Sequence, residues 1–329
     1  MNKVTAILIS YNERDYIMRA IDSVIAQSSD GIEIEIIIGD DGSDDGSIEL
    51  IKQIEDTWSV TNSTITHFVM ERPDPSERVI PVLRVSSILK KALSMASGDY
   101  CVILSADDVF CGNNKFSNAV RFLNEHDDYY SYVTGFRYTD DKIDHIPDVI
   151  NSFYFWGHFE YFHISCFVFR KIDTSLLLDR ICDDTILVYT VLKQGKCKSD
   201  TEVTFEYTQR DCSIVHSMDE CVFLIIEAMM IQDILNDRNP KCGFRFATKS
   251  REFAFLRKLY SQRNLLHDEK YAHYLSICSQ YKHNIVGRFA DTTGIINSIW
   301  SACFYFGAAF DHYVISILWR IVRIFRKKH

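Results

Sequence analysis

The chain has 329 residues, of which 47% are hydrophobic, 25% charged and 13% aromatic. This length suffices for about two domains with full hydrophobic cores, and the composition excludes an intrinsically disordered chain. Lys and Arg number 36 against 45 Asp and Glu, which gives a formal net charge of −9. Because a negative body disfavours nonspecific binding to nucleic acid, we expect no nucleic-acid partner.

Strands and helices alternate through the first hundred residues. The apolar run Val4–Ile9 predicts a buried strand, and apolar residues at helical spacing predict a helix after it. Further strands are predicted at Ile34–Ile38 and Thr64–Met70, with a short helix between them. A helix over Val82–Ala96 leads to a fourth strand at Tyr100–Leu104. This alternation predicts a parallel sheet covered by helices, with ligands at the carboxyl ends of its strands.

The rest of the chain is less regular and then mostly helical in pattern. An acidic turn, Asp183–Asp184, leads into a helix that ends near Gly195. From about residue 217 onward the helical pattern dominates, without internal repeats. We therefore predict a first domain over residues 1–217 and a helical C-terminal region over residues 218–329.

The C-terminal tail, residues 295–329, has the character of a membrane-surface segment. Its last basic residues follow the final acid, Asp311, and they are Arg320, Arg323, Arg326, Lys327 and Lys328. The apolar stretch 295–310 is shorter than the ~20 residues that cross a bilayer. These features predict helices that lie in the headgroup region at the inner face of the cell membrane. A C-terminal helix docked on the core or on a partner is the alternative.

The cysteines and the N-terminus indicate the cytoplasm. None of the ten cysteines forms a C-x-x-C pair, so neither a zinc-site spacing nor a disulfide framework is present in the sequence. The first apolar run is shorter than the ~7–15 residues of a signal h-region and lacks a cleavage site. We therefore expect a cytoplasmic protein, peripherally associated with the membrane through its tail.

Polar clusters follow three of the predicted strands, at Ser10–Asn12, Asp40–Ser47 and Ser105–Asp108. Because the carboxyl ends of parallel strands meet at one edge of a sheet, we expect the clusters to converge. A tyrosine ring can stack on a nucleobase, and carboxylates can accept from base and ribose or hold a divalent metal against a diphosphate. Together the clusters predict a nucleoside-diphosphate site.

Each cluster also has a plain structural interpretation. Asp40–Ser47 supplies the residues that a turn and a helix N-cap need, and Asp107–Asp108 alone is typical of a solvated turn. An EF-hand does not fit, because Lys52 would stand where the bidentate Glu belongs if Gly46 held the sixth loop position. A dinucleotide fold does not fit either, because G-x-G-x-x-G is absent after the first strand.

Five segments together resemble the family 2 glycosyltransferases of the GT-A fold. They are residues 9–13 (I-S-Y-N-E), 23–27 (S-V-I-A-Q), 40–47 (D-D-G-S-D-D-G-S), 96–100 (A-S-G-D-Y) and 106–110 (A-D-D-V-F). The resemblance covers about residues 4–217. It implies a Rossmann-like α/β fold with a mixed, mainly parallel sheet flanked by helices, and a nucleotide-diphosphate sugar as donor, with UDP as the nucleotide.

The resemblance also implies roles for individual residues. Those implied at the donor nucleotide are Ser10, Tyr11, Asn12, Glu13, Asp40, Asp41, Ala106 and Asp107. Among them, Asp40 and Asp41 are implied to contact base and ribose. Asp107, with help from Asp108 or a water, is implied to bind Mn²⁺ or Mg²⁺.

The sequence departs from the family pattern in two places. Ser105 stands where the family's Asp-x-Asp motif has its first carboxylate. Leu89–Lys90 stands where the family often has an Arg-Asn pair, so Lys90 or Arg84 is a candidate for the diphosphate.

On the acceptor side, Asp183–Asp184 resembles the family's acidic pair. An inverting transfer needs a carboxylate that takes the proton of the acceptor hydroxyl as it attacks the anomeric carbon. We assign this role to Asp184, with Asp183 beside it, and the alternative is an acidic helix N-terminus that complements the helix dipole. Arg210 is interpreted as a surface residue rather than a phosphate ligand. His158, His163 and His216 are expected to be packed or exposed rather than metal ligands.

We therefore predict an inverting, metal-dependent transferase that moves one sugar to a hydroxyl of a glycan. The tail suggests a lipid-linked acceptor, as in bacterial surface polysaccharide or O-antigen synthesis. Two alternatives stay open: a noncatalytic nucleotide-sugar-binding protein, motivated by Ser105, and a nucleotidyltransferase. A processive synthase is disfavoured, because no Gln-x-x-Arg-Trp motif and no set of spans is present.

Overall fold

A computed structural model describes residues 1–72, 80–139, 143–145, 163–210 and 219–236. The chain divides into two compact units, Met1–Ser217 and Met218–His329. Across the described ranges, every helix is too short or too polar to traverse a bilayer. The predicted C-terminal tail lies outside the described residues, as do His158 and His216.

One sheet organises the first unit, and the described residues contribute nine strands to it. The strands are β1 (Asn2–Ser10), β2 (Ile32–Asp40), β3 (Ser63–Val69), β4 (Tyr100–Ser105), β5 (Val109–Phe110), β6 (Tyr129–Tyr138), β7 (Ile143–His145), β8 (Phe167–Arg170) and β9 (Lys196–Tyr207). Their order is β3-β2-β1-β4-β8-β6-β9-β5, and β7 pairs with β6. The strands β1 to β4 pair in parallel, whereas β8 is antiparallel to both β4 and β6.

The described helices of the first unit alternate with its strands along the chain. They are α1 (Ile17–Ile25), α2 (Ser47–Asp56), α3 (Pro81–Met95), α4 (Lys115–Glu125) and α5 (Asp184–Gln194) in the first unit, and α6 (Glu220–Asn236) in the second. Short 3₁₀ turns span Ile164–Cys166 and Thr174–Leu177. The predicted mixed α/β sheet flanked by helices is confirmed.

The core explains why the first elements form where the pattern predicts them. Apolar side chains on both faces of β1 are buried, and on α1 the apolar residues at helical spacing are buried: Ile17, Ala20, Ile21 and Val24. A strand covered on both faces needs no polar alternation, which is why Val4–Ile9 is a continuous apolar run. The apolar spacing of α1 and the apolar run of β1 therefore both reflect burial in the same core.

Helix α3 lies unusually close to the sheet at Gly39 on β2. A Cβ built at Gly39 would lie 2.3 Å from Cγ2 of Ile88 on α3 and 2.8 Å from Cζ of Phe68 on β3. Any larger residue would push the helix outward, so glycine permits this close approach. The position of α3 is thereby fixed against β2.

Candidate active site

The ends of three parallel strands bring the predicted polar clusters to one edge of the sheet. Ser10 at the end of β1 is in register with Asp40 on β2, and Ile9 is in register with Ser105 on β4. The backbone N–H of Asp41 donates to the carbonyl of Ser10 at 2.9 Å. The N–H of Ala106 likewise donates to the carbonyl of Ile9 at 2.8 Å. These residues form the donor edge.

Hydrogen bonds connect the loop after β1 to the loop after β2. The carboxylate of Asp40 is fully buried and accepts from both the backbone N–H and the hydroxyl of Ser43, at 2.8 and 2.7 Å. Ser43 Oγ in turn accepts the N–H of Asn12 at 2.8 Å. Asn12 has a positive φ of 55°, which asparagine tolerates better than most residues, and its side chain accepts the N–H of Asp44. Asp40 thus holds the two loops together from beneath.

Asp41 is held by two arginines. Its Oδ2 accepts from Nη2 of Arg72 at 2.7 Å, and its Oδ1 accepts from Nε of Arg84 at 2.6 Å. Arg72 also donates to the carbonyl of Asp41, and Arg84 to the carbonyl of Met70. Such charge-assisted bonds fix the carboxylate in one orientation. This geometry does not favour a role for Arg84 at the diphosphate, because its guanidinium donates to Asp41 and to the carbonyl of Met70.

Tyr11 presents the exposed aromatic surface of the donor edge. Its side chain is 41% exposed, and the Arg72 guanidinium carbon lies 3.6 Å from the ring centroid. The ring and the guanidinium are planar groups of the kind on which a nucleobase stacks. The sequence interpretation missed Arg72, although it follows the third predicted strand at the same edge as the other clusters.

Arg210 joins two carboxylates of the site. Its Nη1 donates to Asp107 Oδ2 at 3.3 Å and forms an ion pair with Glu13, while its guanidinium carbon lies 4.6 Å from the ring of Tyr16. The side chain is only 19% exposed. The interpretation of Arg210 as a surface residue is therefore wrong, because two acids and an aromatic ring enclose it. Arg210 follows the end of β9, a strand that the sequence analysis does not predict.

The pKa of Glu13 is raised to about 7. Burial is the main cause, the charge of Asp107 adds to it, and the ion pair with Arg210 opposes it. Glu13 therefore titrates near neutral pH, which places a carboxyl group that can change charge beside Asp107.

Asp108 is buried beneath Asp107 and held by the end of β9. Its Oδ1 accepts the backbone N–H of Thr208 at 2.7 Å, while the Thr208 hydroxyl donates to the carbonyl of Asp107. The other oxygen, Oδ2, is buried and has no hydrogen-bond partner within the described ranges. Burial raises the pKa of Asp108 well above its ordinary value, and the charges of Asp107, Glu13 and Asp184 raise it further. The site thus concentrates acidic groups around Asp107.

The residues around Asp107 fit a cation that binds together with a substrate. Among the described residues, His, Cys, Asp and Glu nowhere form a group of three or more that could hold a metal ion. Asp107 supplies one carboxylate that is 19% exposed, and Asp108 has its unpartnered oxygen beneath it. Mg²⁺ is commonly held by one or two carboxylates with substrate phosphates and water completing its shell. The donor set is of that kind.

The two acids ahead of α5 have different environments. Asp183 caps the helix, because its Oδ1 accepts the N–H of Ile186 at 3.0 Å. Asp184 is the first helical residue and is partly exposed. Its charge contributes to the raised pKa of both Asp108 and Tyr207, so it lies within electrostatic range of the Asp107–Asp108 pair. The helix N-terminus alternative describes the contacts of Asp183.

The remaining candidates lie away from the reacting groups. The Lys90 ammonium donates to the carbonyl of Leu178 at 3.0 Å. The ring of His163 packs against Phe205 and Tyr207, with centroids 4.8 and 5.4 Å apart, and burial lowers its pKa. His163 is therefore a packed histidine, as expected.

Part of the chain is similar in sequence to known proteins. Residues 5–74 match the model described as glycosyl transferase family 2. Over 108 residues the chain is 31% identical to an uncharacterized glycosyltransferase of Mycoplasma genitalium, covering 33% of each protein. It is 32% identical over 108 residues to protein CgeD of Bacillus subtilis, covering 33% of this chain and 23% of that protein. The match spans about a third or less of the length of these relatives.

Solved structures extend the similarity beyond the matched segment. The crystal structure of residues 1–349 of S. aureus TarS in complex with UDP-GlcNAc superposes with a TM-score of 0.56 and 15% identity. The superposition covers 86% of this chain and 81% of that one. At this identity the likeness concerns the fold alone.

Proposed function

We propose that the chain is a family 2 glycosyltransferase, as the match over residues 5–74 supports. In this proposal it transfers a single sugar from a nucleotide-diphosphate sugar to an acceptor hydroxyl, with inversion at the anomeric carbon. The observation that carries the proposal is the convergence of two sets of groups. The donor edge presents an aromatic ring and a fixed carboxylate at Tyr11 and Asp41. Beside it, Asp107 and Asp108 form a strongly acidic centre within electrostatic range of Asp184.

In this proposal the donor edge binds the nucleotide. Tyr11 stacks on the base, and Asp41 accepts a hydrogen bond from it because its two arginines hold it as a fixed acceptor. The backbone at Ser10–Asn12 and Ala106 borders the ribose and the diphosphate. Uridine is the base we propose, since the family resemblance implies UDP and the N3–H of uracil can donate to such an acceptor.

A divalent cation, Mn²⁺ or Mg²⁺, would be held by Asp107 with help from Asp108 and the diphosphate. When bound, it neutralises charge that develops on the departing diphosphate. Arg210 already lies against Asp107 and supplies positive charge at the same place. Binding of the donor would bring its phosphates to a centre that contains both carboxylates and a guanidinium.

Asp184 is proposed as the general base. It takes the proton from the acceptor hydroxyl while the oxygen attacks the anomeric carbon, and the bond to the diphosphate breaks on the opposite face. Its position at the start of α5 leaves the carboxylate partly exposed. The neighbour Asp183, which caps the same helix, holds the backbone at that point.

The acceptor is proposed to be a lipid-linked glycan at the inner face of the cell membrane. The basic and apolar tail over residues 295–329 motivates this part of the proposal. A chain truncated after residue 293 tests it: the truncated chain should no longer sediment with vesicles that contain anionic lipid. Continued sedimentation would contradict the membrane proposal.

A nucleotide-sugar screen tests the activity itself. The full chain is incubated with UDP-, GDP- and dTDP-sugars, with Mn²⁺, Mg²⁺ or a chelator, and the released nucleotide is identified. We expect release of a nucleoside diphosphate that increases with the cation. Donor binding without any turnover would favour the noncatalytic alternative. In a parallel incubation with nucleoside triphosphates and sugar 1-phosphates, release of pyrophosphate would favour a nucleotidyltransferase.

A further inference from the structure

Helix α3 contacts both the donor edge and the loop that leads to the acidic pair. At one point Arg84 donates to Asp41, as described above. At another, the hydroxyl oxygen of Ser86 accepts the backbone N–H of Cys182 at 2.7 Å. Ser86 and Cys182 are both buried, with exposures of 2% and 0%. Cys182 directly precedes Asp183, which caps α5.

Two contacts hold the loop 178–182 against one face of α3. Besides the bond at Ser86, Lys90 donates to the carbonyl of Leu178 at 3.0 Å. Residues four apart lie one above the other on a helix, so Ser86 and Lys90 share a face. Arg84, two residues before Ser86, is rotated about 200° around the axis and therefore points away from that face. The helix thus holds Asp41 on one side and the loop on the other.

The helix itself has little freedom to move. Its Ile88 lies against Gly39 of β2 at the close approach described above, and α3 also packs against β1 and the 3₁₀ turn Thr174–Leu177. A displacement of α3 would therefore disturb the sheet. Helix α3 therefore helps to set the separation between Asp41 and the start of α5, together with β6 and the turn Ile164–Cys166, against which α5 also packs.

We propose that Ser86 is a positioning residue for Asp184, a proposal that rests on the proposed function above. Its hydroxyl fixes the backbone one residue before the N-cap, and hence the first turn of α5 that carries Asp184. Without the hydroxyl, the buried N–H of Cys182 loses its acceptor, and the loop must shift to satisfy it. A displacement of about 1 Å at a reacting group can reduce the rate about 100-fold.

The test compares two serine substitutions on the same helix. Ser86→Ala removes the buried acceptor, whereas Ser87→Ala removes an exposed hydroxyl that donates to the carbonyl of Leu83. With the full chain and the donor that it turns over best, Ser86→Ala should lower kcat roughly 10- to 100-fold. Its affinity for the released nucleoside diphosphate, measured by calorimetry, should stay within about twofold, since the donor edge is untouched. Ser87→Ala should match the wild type, and Ser86→Thr, which keeps the hydroxyl, should recover most of kcat.

Two outcomes with folded protein would overturn the proposal. One is a kcat for Ser86→Ala equal to that of Ser87→Ala. The other is a parallel loss of kcat and nucleotide affinity, because that would mean a general disturbance of the fold rather than an effect on Asp184.

A second variant decides the matter if Ser86→Ala does not fold. Lys90→Met keeps the aliphatic stem and removes the donor to Leu178. A lowered kcat with unchanged nucleotide affinity supports the proposal, and an unchanged kcat overturns it. A wild-type chain that releases no nucleoside diphosphate from any donor would instead overturn the proposed function, and the role of Ser86 with it.

Discussion

The two halves of the sheet are built differently. Strands β1 to β4 pair in parallel with an unbroken register and an apolar core. Strand β6 pairs with β9 through three register shifts, beginning between Tyr129 and Ser131. Beneath that pair lies the buried Lys115, whose ammonium donates to Thr134, Thr204 and the carbonyl of Cys166. The regular half supports the donor edge. The acidic centre lies where β4 ends, and Thr208 after β9 holds it from the irregular half.

The carboxylates of the donor edge and of the acidic centre also differ. Asp40 and Asp41 each accept from groups that hold both of their oxygens. Glu13 and Asp108 lie among other acids, and the pKa of each is raised by burial and by neighbouring negative charge. Satisfied carboxylates suit recognition of a fixed ligand, whereas crowded ones with perturbed pKa values are typical of reacting centres. The comparison predicts that substitutions in the two halves will affect different kinetic constants.

The largest effect is expected at the acidic centre. Asp184→Asn removes the proposed base while keeping the shape of the side chain, so kcat should fall roughly 10²- to 10⁴-fold, the usual contribution of general acid–base catalysis. Donor affinity should be unchanged, because the donor edge is not altered. Steady-state kinetics and calorimetry with the nucleoside diphosphate measure the two quantities.

Asp183→Asn is the matched comparison for that variant. Asparagine caps a helix about as well as aspartate, so this change removes a charge next to Asp184 without removing the base. It should lower kcat far less than Asp184→Asn. Turnover by Asp184→Asn at the wild-type rate would contradict the assignment of the base.

A smaller effect of the opposite kind is expected at the donor edge. Asp41→Asn weakens two charge-assisted bonds to arginine and changes the acceptor offered to the base, so donor KM should rise about 10- to 100-fold, or roughly 1.4–2.7 kcal/mol. The change in kcat should be the smaller of the two. Asp44→Asn, an exposed position in the same loop, is the control and should leave both constants near the wild-type values. A fall in kcat alone for Asp41→Asn would remove the distinction between the two halves.

The same contrast explains which parts were predictable from sequence. The parallel strands follow from β-branched runs such as Ile34–Ile38, and the polar clusters after them follow from the rule that such strand ends converge. The environment of Arg210 did not follow, because its partners Glu13 and Asp107 are about 200 and 100 residues away in the chain. Arg210 and Asp107 meet because the two-residue strand β5 pairs with β9, with Val109 opposite Glu206, and so short a strand has no periodic pattern in the sequence.

Buried polar groups were equally hidden. Lys115 follows two asparagines and is the first residue of α4, yet it is 1% exposed. Lysine is rarely fully buried, and only the three acceptors from separate segments make it tolerable there. Ser86 is a similar case. It is one of two adjacent serines, and the sequence does not indicate which of them faces the loop 178–182.

The last predicted effect concerns the stability of the fold at Lys115, has no expected effect on catalysis, and depends on pH. Burial lowers the pKa of Lys115 to about 8, from an ordinary value of 10.5. Between these values the unfolded chain binds more protons than the folded one, so this lysine makes the free energy of unfolding increase as the pH rises. The stability gained from keeping this lysine neutral is complete above pH 10.5. It decreases as the pH falls and is lost once the pH has fallen through 8. Lys115→Met removes it.

The difference in unfolding free energy between the wild type and Lys115→Met should therefore change in favour of the wild type as the pH rises from 8 to 10, by at most about 1.4 kcal/mol per pH unit. Urea unfolding of both chains at matched pH values measures it, and groups that titrate alike in both chains cancel in the difference. A difference that is constant over this range would mean that the ammonium keeps its ordinary pKa. Burial of the Lys115 ammonium beneath β6 and β9 would then cost no stability. The two halves of the sheet would differ only in the regularity of their strand pairing.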